Sequence, residues 1–161
     1  MKARMEEQEE HSVSTPIGAV RYCVENGKLT RLHFSDAIAR GKPRDPIGRE
    51  LAAYFEGDRA ALRRIPVQLD GTPFHLEVWR ALRRLRPGTT ISYAELARRI
   101  GRPTAVRAVA RANAANKIAL VVPCHRVVGT SGKLVGYNFG IERKAWLLRF
   151  EGVAVAEPAT R

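Results

Sequence analysis

The sequence has little of what would place it in a membrane, a secreted scaffold or a metal-centred domain. No apolar run approaches the ~20 residues that a bilayer-spanning helix needs. The N-terminal MKARMEEQEE is charged and has no signal-peptide core. These absences predict a cytoplasmic protein, nucleoid-associated if prokaryotic, with no membrane partner. Cys23 and Cys124 are the only 2 cysteines in 161 residues. That is too few for a disulfide framework, and a reducing compartment predicts free thiols. No CxxC or His-x-x-x-His spacing is present, and His11, His33 and His75 are scattered, so no metal site is expected. A glycine fingerprint for a diffusible methyl donor is also missing, so no cofactor is expected. Gly129-Thr130-Ser131-Gly132-Lys133 has too few residues between its glycines for a phosphate loop and reads as a turn. Acid is the last shortage: 16 Asp and Glu face 28 Lys and Arg, a net charge of +12. Such a surplus suits a polyanion. No helix joins a basic face to a Trp/Phe/Leu-rich one as interfacial helices do, so nucleic acid leads over membrane.

A hydrophobic fraction of 45% is that of an ordinary globular protein, and the length allows one domain or two small ones. Met1 to Glu10 is polar and expected to fray. Thr15 to Val24 reads as a strand, Glu25-Asn26-Gly27-Lys28 as a hairpin turn, and Leu29 to Phe34 as a second strand. The spacing of Ile47, Leu51, Tyr54 and Phe55 predicts a helix that stops at Gly57. Ile65 to Leu69 reads as a short strand. Cys23, on a strand, reads as a packing residue.

Thr72-Pro73 then opens a helix from Phe74 to Leu85, capped by the threonine, with Arg80, Arg83 and Arg84 on its solvated side. Ser92 and Glu95 form a capping box before a helix over Tyr93 to Ile100. After Gly101-Arg102-Pro103, Thr104 caps another helix from Ala105 to Ala114. The pair is a helix-turn-helix candidate. The second helix is rich in alanine at Ala105, Ala108 and Ala112 and projects Arg107 and Arg111 together, so it reads as a close-approach surface or as a small-residue packing helix. Ile141 to Phe150 is the last helix, Glu151-Gly152 ends it, and Val153 to Arg161 is a loose tail. The fold class is α/β (α+β). A small N-terminal mixed or antiparallel sheet with a helix (1–71) precedes a mainly helical C-terminal unit carrying the helix-turn-helix and an active-site loop (72–161).

The chemistry concentrates in Val121-Val122-Pro123-Cys124-His125-Arg126-Val127-Val128. Apolar flanks at Leu120 to Val122 and Val127 to Val128, read as buried strands, would hold the thiol rigidly. Free cysteine titrates near pH ~8.5 and is mostly unreactive thiol at neutral pH. His125 could take its proton, and Arg126 adds positive potential. Cys124 could also be a small buried core residue, but such a site needs no adjacent Pro, His and Arg.

PCHRV, with Asn116 before it and SGKLVGY after it, resembles the active-site segment of the O6-alkylguanine-DNA alkyltransferases, repair proteins that move an alkyl group from guanine onto their own cysteine. The resemblance runs from about Phe74 to Gly152, with several motifs in the family's order. It implies that Cys124 is the acceptor and that His125, a bound water and Glu151 form a relay behind it, with Asn116 holding the loop. By itself, Glu151 reads as an exposed helix-end acid. The resemblance also implies that Tyr93 assists nucleotide flipping and donates to the base. Arg107 would be the finger that enters from the minor groove, and Thr130 would touch the DNA backbone. Arg102, Ala105 and Arg111 complete the expected DNA surface, and Tyr137, Asn138, Phe139 and Val127 the base pocket. The implied partner is double-stranded DNA containing O6-alkylguanine, with O4-alkylthymine open as a second lesion. The protein is expected to be monomeric in solution, with cooperative loading on DNA left open.

The chain departs from the family in three respects. Phe139 stands where many relatives have a small residue, the N-terminal unit resembles theirs only loosely, and the metal site of some relatives is absent. The rival readings are a lesion-binding module without transfer, an alkylation-sensing regulator, a cysteine hydrolase and a cofactor-dependent methyltransferase. The first lacks an active cysteine, and the second carries an extra cysteine-rich domain. A hydrolase would not explain the charge or Arg107, and the last needs a cofactor cradle.

Overall fold

A computed structural model describes residues 9–39 and 41–155. Of the segments expected to be loose, residues 1–8 and 156–161 lie outside the described residues. Glu9 and Glu10, expected to fray, instead begin a strand. β1 (Glu9–Thr15), β2 (Gly18–Glu25) and β3 (Lys28–Ser35) form an antiparallel meander in the order β1-β2-β3. The strand expected from Thr15 starts only at Gly18, because Pro16-Ile17 form a turn. Thr15 Oγ1 donates to Gly18 O at 2.6 Å and accepts from Ile17 N at 3.1 Å. Asn26 and Gly27, at φ 51° and 76°, make the second turn as the sequence predicts. Val20, Tyr22, Leu32 and Phe34 bury one face of the sheet.

α1 (Pro46–Phe55) packs there. Asp45 caps it by accepting from Gly48 N at 2.9 Å, and the same carboxylate takes the Tyr22 hydroxyl at 2.8 Å. Residues Ile47, Leu51 and Tyr54, spaced for one helical face, are buried. The strand expected over Ile65 to Leu69 shrinks to a single bridge between Val67 and Leu29, preceded by a 3₁₀ turn at Ala61–Arg64. Pro66 has no N–H for a ladder.

In the C-terminal half, α2 (Pro73–Arg83) starts on Thr72, whose hydroxyl accepts from His75 N at 3.1 Å. β4 (Ile91–Ser92) leads into α3 (Tyr93–Arg99), with Ser92 Oγ accepting from Glu95 N at 3.0 Å. Glu95 itself pairs with Arg98 and Arg99. α4 (Val106–Ala114) begins one residue later than expected. Its N-cap is Ala105, which makes no side-chain cap, so Thr104 does not cap it. β5 (Val127–Val128) runs parallel to β4, and α5 (Ile141–Phe150) closes the fold. The class is therefore α/β, a three-stranded antiparallel sheet with five α-helices among the described residues. One continuous core joins the two halves, from Val13 in β1 to Leu147 in α5.

Two further sequence expectations fail for physical reasons. Leu120 to Val122 is buried but not a strand: a tight turn there puts Leu120 at φ 70°. Arg83 is not on a solvated face. It is half-buried and donates to Leu62 O, Ile65 O and Val121 O at 3.1–3.2 Å, adding to the Ile65 N–H bond at the first and satisfying carbonyls of irregular backbone at the other two. Trp79 of α2 plays a similar part for α4. Its Nε1 donates to Ala112 O at 2.8 Å, near the helix end where intrahelical donors run out. Trp79→Phe is expected to cost at least ~1–3 kcal/mol by stranding that carbonyl, read as a lower urea midpoint with an unchanged slope.

Candidate active site

The thiol sits on a backbone bent twice in five residues. Val121 N donates to Ala119 O at 2.8 Å about Leu120, and Cys124 N donates to Val122 O at 2.8 Å about Pro123, at φ −81° and ψ 65°. The second is an inverse γ-turn, which the proline ring favours. A leucine at φ 70° costs on the order of 1–3 kcal/mol and persists only where its surroundings over-determine it. Here Leu120 is fully buried, and Asn116 staples the loop from both sides. Its amide donates to Val122 O at 2.8 Å, and its oxygen accepts from Ile118 N at 3.0 Å. Cys124 follows, 7% exposed, in a 3₁₀ turn over Cys124–Arg126.

Behind it, His125 and Glu151 are completely buried, with Nε2 3.0 Å from Oε2. Glu151 is thus no exposed helix-end acid. Arg126 binds the same carboxylate through two bonds of 2.8 Å, Nε to Oε1 and Nη2 to Oε2, and donates Nη1 to Leu85 O at 2.7 Å. The positive potential expected of Arg126 at the thiol is therefore matched by an adjacent negative charge. Burial opposes ionisation of Glu151, but His125 and Arg126 outweigh it and hold the carboxyl far below its ordinary range. An ionised carboxylate only accepts, so His125 Nε2 must carry the proton and Nδ1 offers its lone pair. Nδ1 is buried with no hydrogen-bond partner among the described residues. Burial also lowers the pKa of His125, outweighing Glu151, so the imidazole rests neutral and able to take a proton.

A cavity of 150 Å³ opens over Cys124, lined by Tyr93, Asn113, Asn116, Tyr137, Asn138, Phe139 and Lys144 among others. Tyr93, the first residue of α3, lies with its hydroxyl 3.4 Å from Val135 O. Asn138 donates to Ala114 O at 2.6 Å, and the Phe139 ring meets Phe34 of β3 edge-on at 5.6 Å. Val127, expected in the pocket, is instead fully buried in β5 and does not line the cavity. Lys144 is the residue that the sequence reading missed. On α5 it is 1% exposed, with Nζ 3.2 Å from Gly136 O and 3.4 Å from Val135 O. Burial pushes its pKa down to about 8, while Cys124 works in the other direction. Burial pushes the Cys124 thiol up, against the Asn116 hydrogen bond and the Lys144 charge, so the thiol rests protonated.

The expected DNA residues other than Tyr93 lie outside the cavity. Arg107 and Arg111 are exposed on α4, whose Ala110 lines the cavity, and Thr130 is exposed at the start of a 3₁₀ turn. Ala105 is the N-cap of α4. Arg102 is engaged within the protein, 3.0 Å from Glu77 and stacked over Phe74. Among the described residues no cluster of His, Cys, Asp and Glu could hold a metal, and no helix is long and apolar enough to cross a membrane.

Fold and site together define an α/β protein in which a buried thiol faces a cavity beside the helices α3 and α4. A family model, the DNA-binding domain of 6-O-methylguanine DNA methyltransferase, matches residues 73–153. The chain is 52% identical over 128 residues to the methylated-DNA–protein-cysteine methyltransferase of Salmonella typhimurium, covering 78% of this chain and 75% of the relative. It is 42% identical over 154 residues to that of Mycolicibacterium paratuberculosis, covering 89% and 92%. The solved structure of Mycobacterium tuberculosis OGT in complex with DNA superposes with a TM-score of 0.77 at 39% identity, over 88% of this chain and 91% of that one. The chain belongs to the 6-O-methylguanine DNA methyltransferase family.

Lys144→Met keeps the packing volume but removes the cation beside the thiol. The pH dependence of Cys124 alkylation by iodoacetamide is then expected to move to higher pH, with a rate about tenfold lower at neutral pH, one pKa unit's worth. An unchanged profile would show that the ammonium does not act on the thiol.

Proposed function

We propose that the protein is a single-turnover DNA repair enzyme that moves the alkyl group of O6-alkylguanine in double-stranded DNA onto Cys124. The observation that carries this reading is the placement of Cys124: its thiol faces a cavity beside α3 and α4, with the His125–Glu151 pair behind it. In a stacked duplex the O6 substituent cannot reach a buried thiol, so the nucleotide must leave the stack, at a cost of a few kcal/mol. Arg107, exposed on α4, fills the vacated place. Thr130 and Arg111 touch the backbone, Ala105 allows its close approach, and Arg102 joins them when it leaves Glu77. Phosphate contacts provide most of the affinity and make it strongly salt-dependent.

In the cavity, His125 Nδ1 takes the thiol proton, through a bound water if needed, and Glu151 stabilises the imidazolium. The sulfur attacks the alkyl carbon in line, so an S–C bond forms as the C–O6 bond breaks. The guanine departs with the electron pair of the broken bond, and Tyr93, as a hydroxyl donor, stabilises that anion. Lys144 and Asn116 support the thiolate. The thioether product has no partner to reverse it, so each molecule acts once. Residues 1–71 and 72–161 make up the two units of this machine, monomeric in solution. Lesion binding without transfer is the lesser alternative, because it leaves a thiol at the cavity and a buried His125–Glu151 pair next to it in the chain with nothing to do.

The test is intact mass after mixing the protein with a duplex carrying O6-methylguanine, beside Cys124→Ala. A gain of one methylene on the Cys124 peptide, saturating at one equivalent, is expected. Tight binding without that gain would establish the alternative. Phe139 at the cavity should also set the size of the group accepted. O6-benzylguanine is expected to react about tenfold more slowly than O6-methylguanine, since overpacking a close-packed site costs ~1–3 kcal/mol, and Phe139→Gly should remove most of the difference.

A further inference from the structure

The N-terminal half brings a group into the relay that no sequence motif marks. Tyr54, near the end of α1, is fully buried, and its hydroxyl lies 2.8 Å from Glu151 Oε2, the oxygen that His125 Nε2 also meets at 3.0 Å. With Arg126 Nη2 at 2.8 Å on that oxygen and Nε at 2.8 Å on Oε1, the carboxylate takes four donors. Three of the four converge on Oε2, more than its two lone pairs ordinarily serve. Phe55 and Phe150 clamp the Tyr54 ring edge-on, with centroids 5.0 Å and 5.4 Å away, so the hydroxyl cannot swing aside. Burial and the adjacent carboxylate hold the phenol protonated, and it can only donate to Glu151.

We propose that Tyr54 is a positioning residue of the relay, its hydroxyl fixing Glu151 and moderating how strongly that carboxylate draws the His125 proton. The hydroxyl and the imidazole compete for one oxygen. Each donor on Oε2 withdraws charge from the other, so losing the phenol O–H strengthens the His125–Glu151 bond and makes His125 more basic. It also leaves the carboxylate one contact short and freer to turn. The other groups facing this pair are Arg126 from the active-site turn, Arg59 beyond α1, Tyr137 from the cavity loop, and Cys124 and Lys144 around His125. None of them supplies a neutral donor to Oε2.

The inference deepens the proposed alkyl transfer, and its rate predictions rest on that reading. The experiment compares wild type with Tyr54→Phe, using ¹⁵N-histidine labelling to follow the His125 Nε2–H resonance and a single-turnover assay on an O6-methylguanine duplex across pH. In Tyr54→Phe the Nε2–H proton should move downfield. The acid limb of the transfer rate should rise by about half a pH unit, and the rate at neutral pH should fall about fivefold. Val13→Ala removes buried volume in β1, outside the relay and the rings that hold Tyr54, and should lower the melting temperature without moving either signal. Should Tyr54→Phe fail to fold, 3-fluorotyrosine at position 54 keeps the shape, strengthens the donor, and should shift the Nε2–H proton upfield. A His125 signal unmoved in the folded variant or by the fluorinated ring would overturn the inference, whatever the rates. A wild type that transfers no methyl group would overturn the function instead, and the resonance would still decide the role of Tyr54.

Discussion

A carboxylate with no exposed surface governs the arrangement of this protein. Glu151 stands at the C-cap of α5, where the helix dipole is negative and an acid is least welcome. Taking such a charge out of water costs several kcal/mol unless partners replace its hydration. Here the partners come from two separate segments, Arg126 and His125 from the active-site turn and Tyr54 from α1, and the carboxylate comes from a third, the end of α5. All three segments must be in register before the charge is tolerable. The Arg126 fork extends the constraint to the chain just beyond α2 through Leu85 O. The turn that presents Cys124 is therefore fixed from behind by an ion pair and from the side by Asn116, which is how a strained Leu120 can persist within it.

Burial decides the protonation of the neighbouring groups, and not always in the same sense as pairing. For Glu151 pairing wins, and the group stays charged. For His125 and Cys124 burial wins, and both rest neutral. Lys144, pushed down to about 8, lies between them. The resting site thus holds one full negative charge, locked to Arg126, and no standing thiolate. A thiolate kept permanently in a cavity would be open to oxidation. In the proposed transfer the thiol proton passes to His125, so the nucleophile is ionised only when it is used.

Much of this was legible in the sequence where a local rule acts alone. Thr72 and Ser92 cap the helices they were expected to cap, each hydroxyl accepting from the backbone N–H three residues on, whereas Thr104 stands one residue too early to cap α4. Asn26-Gly27 turns the hairpin, and the PCHR core marks the reactive turn. Legibility ends where tertiary contacts override periodicity. Leu120 to Val122 is apolar enough for a buried strand, and only the staple by Asn116 and the support of Arg83 make it a turn. Glu9 to Ser12 is polar and pairs with β2 despite that, since backbone ladders need no apolar side chains. Lys144, within IERKAWLLRF, looks like a solvated helix charge until the loop over residues 134–139 covers it. Tyr54 looks like an ordinary core aromatic, because the sequence cannot show where a buried hydroxyl points.

The boundary proposed at residue 72 does not divide the contacts around the site. Arg143 of α5 donates to Ile17 O and Phe139 O and pairs with Asp36, linking the sheet to the cavity loop. Leu32 of β3 exchanges backbone bonds with Lys117 O and Ala119 N, bracing the segment between Asn116 and the active-site turn. Tyr54 reaches Glu151 itself. Each tie meets a different part of the machinery: the cavity wall, the base of the reactive turn and the relay carboxylate. The first three strands and α1 thus hold in place the segments that carry the chemistry. An isolated C-terminal half would keep its thiol, base and carboxylate, but the positions of all three would lose the constraints that now define them.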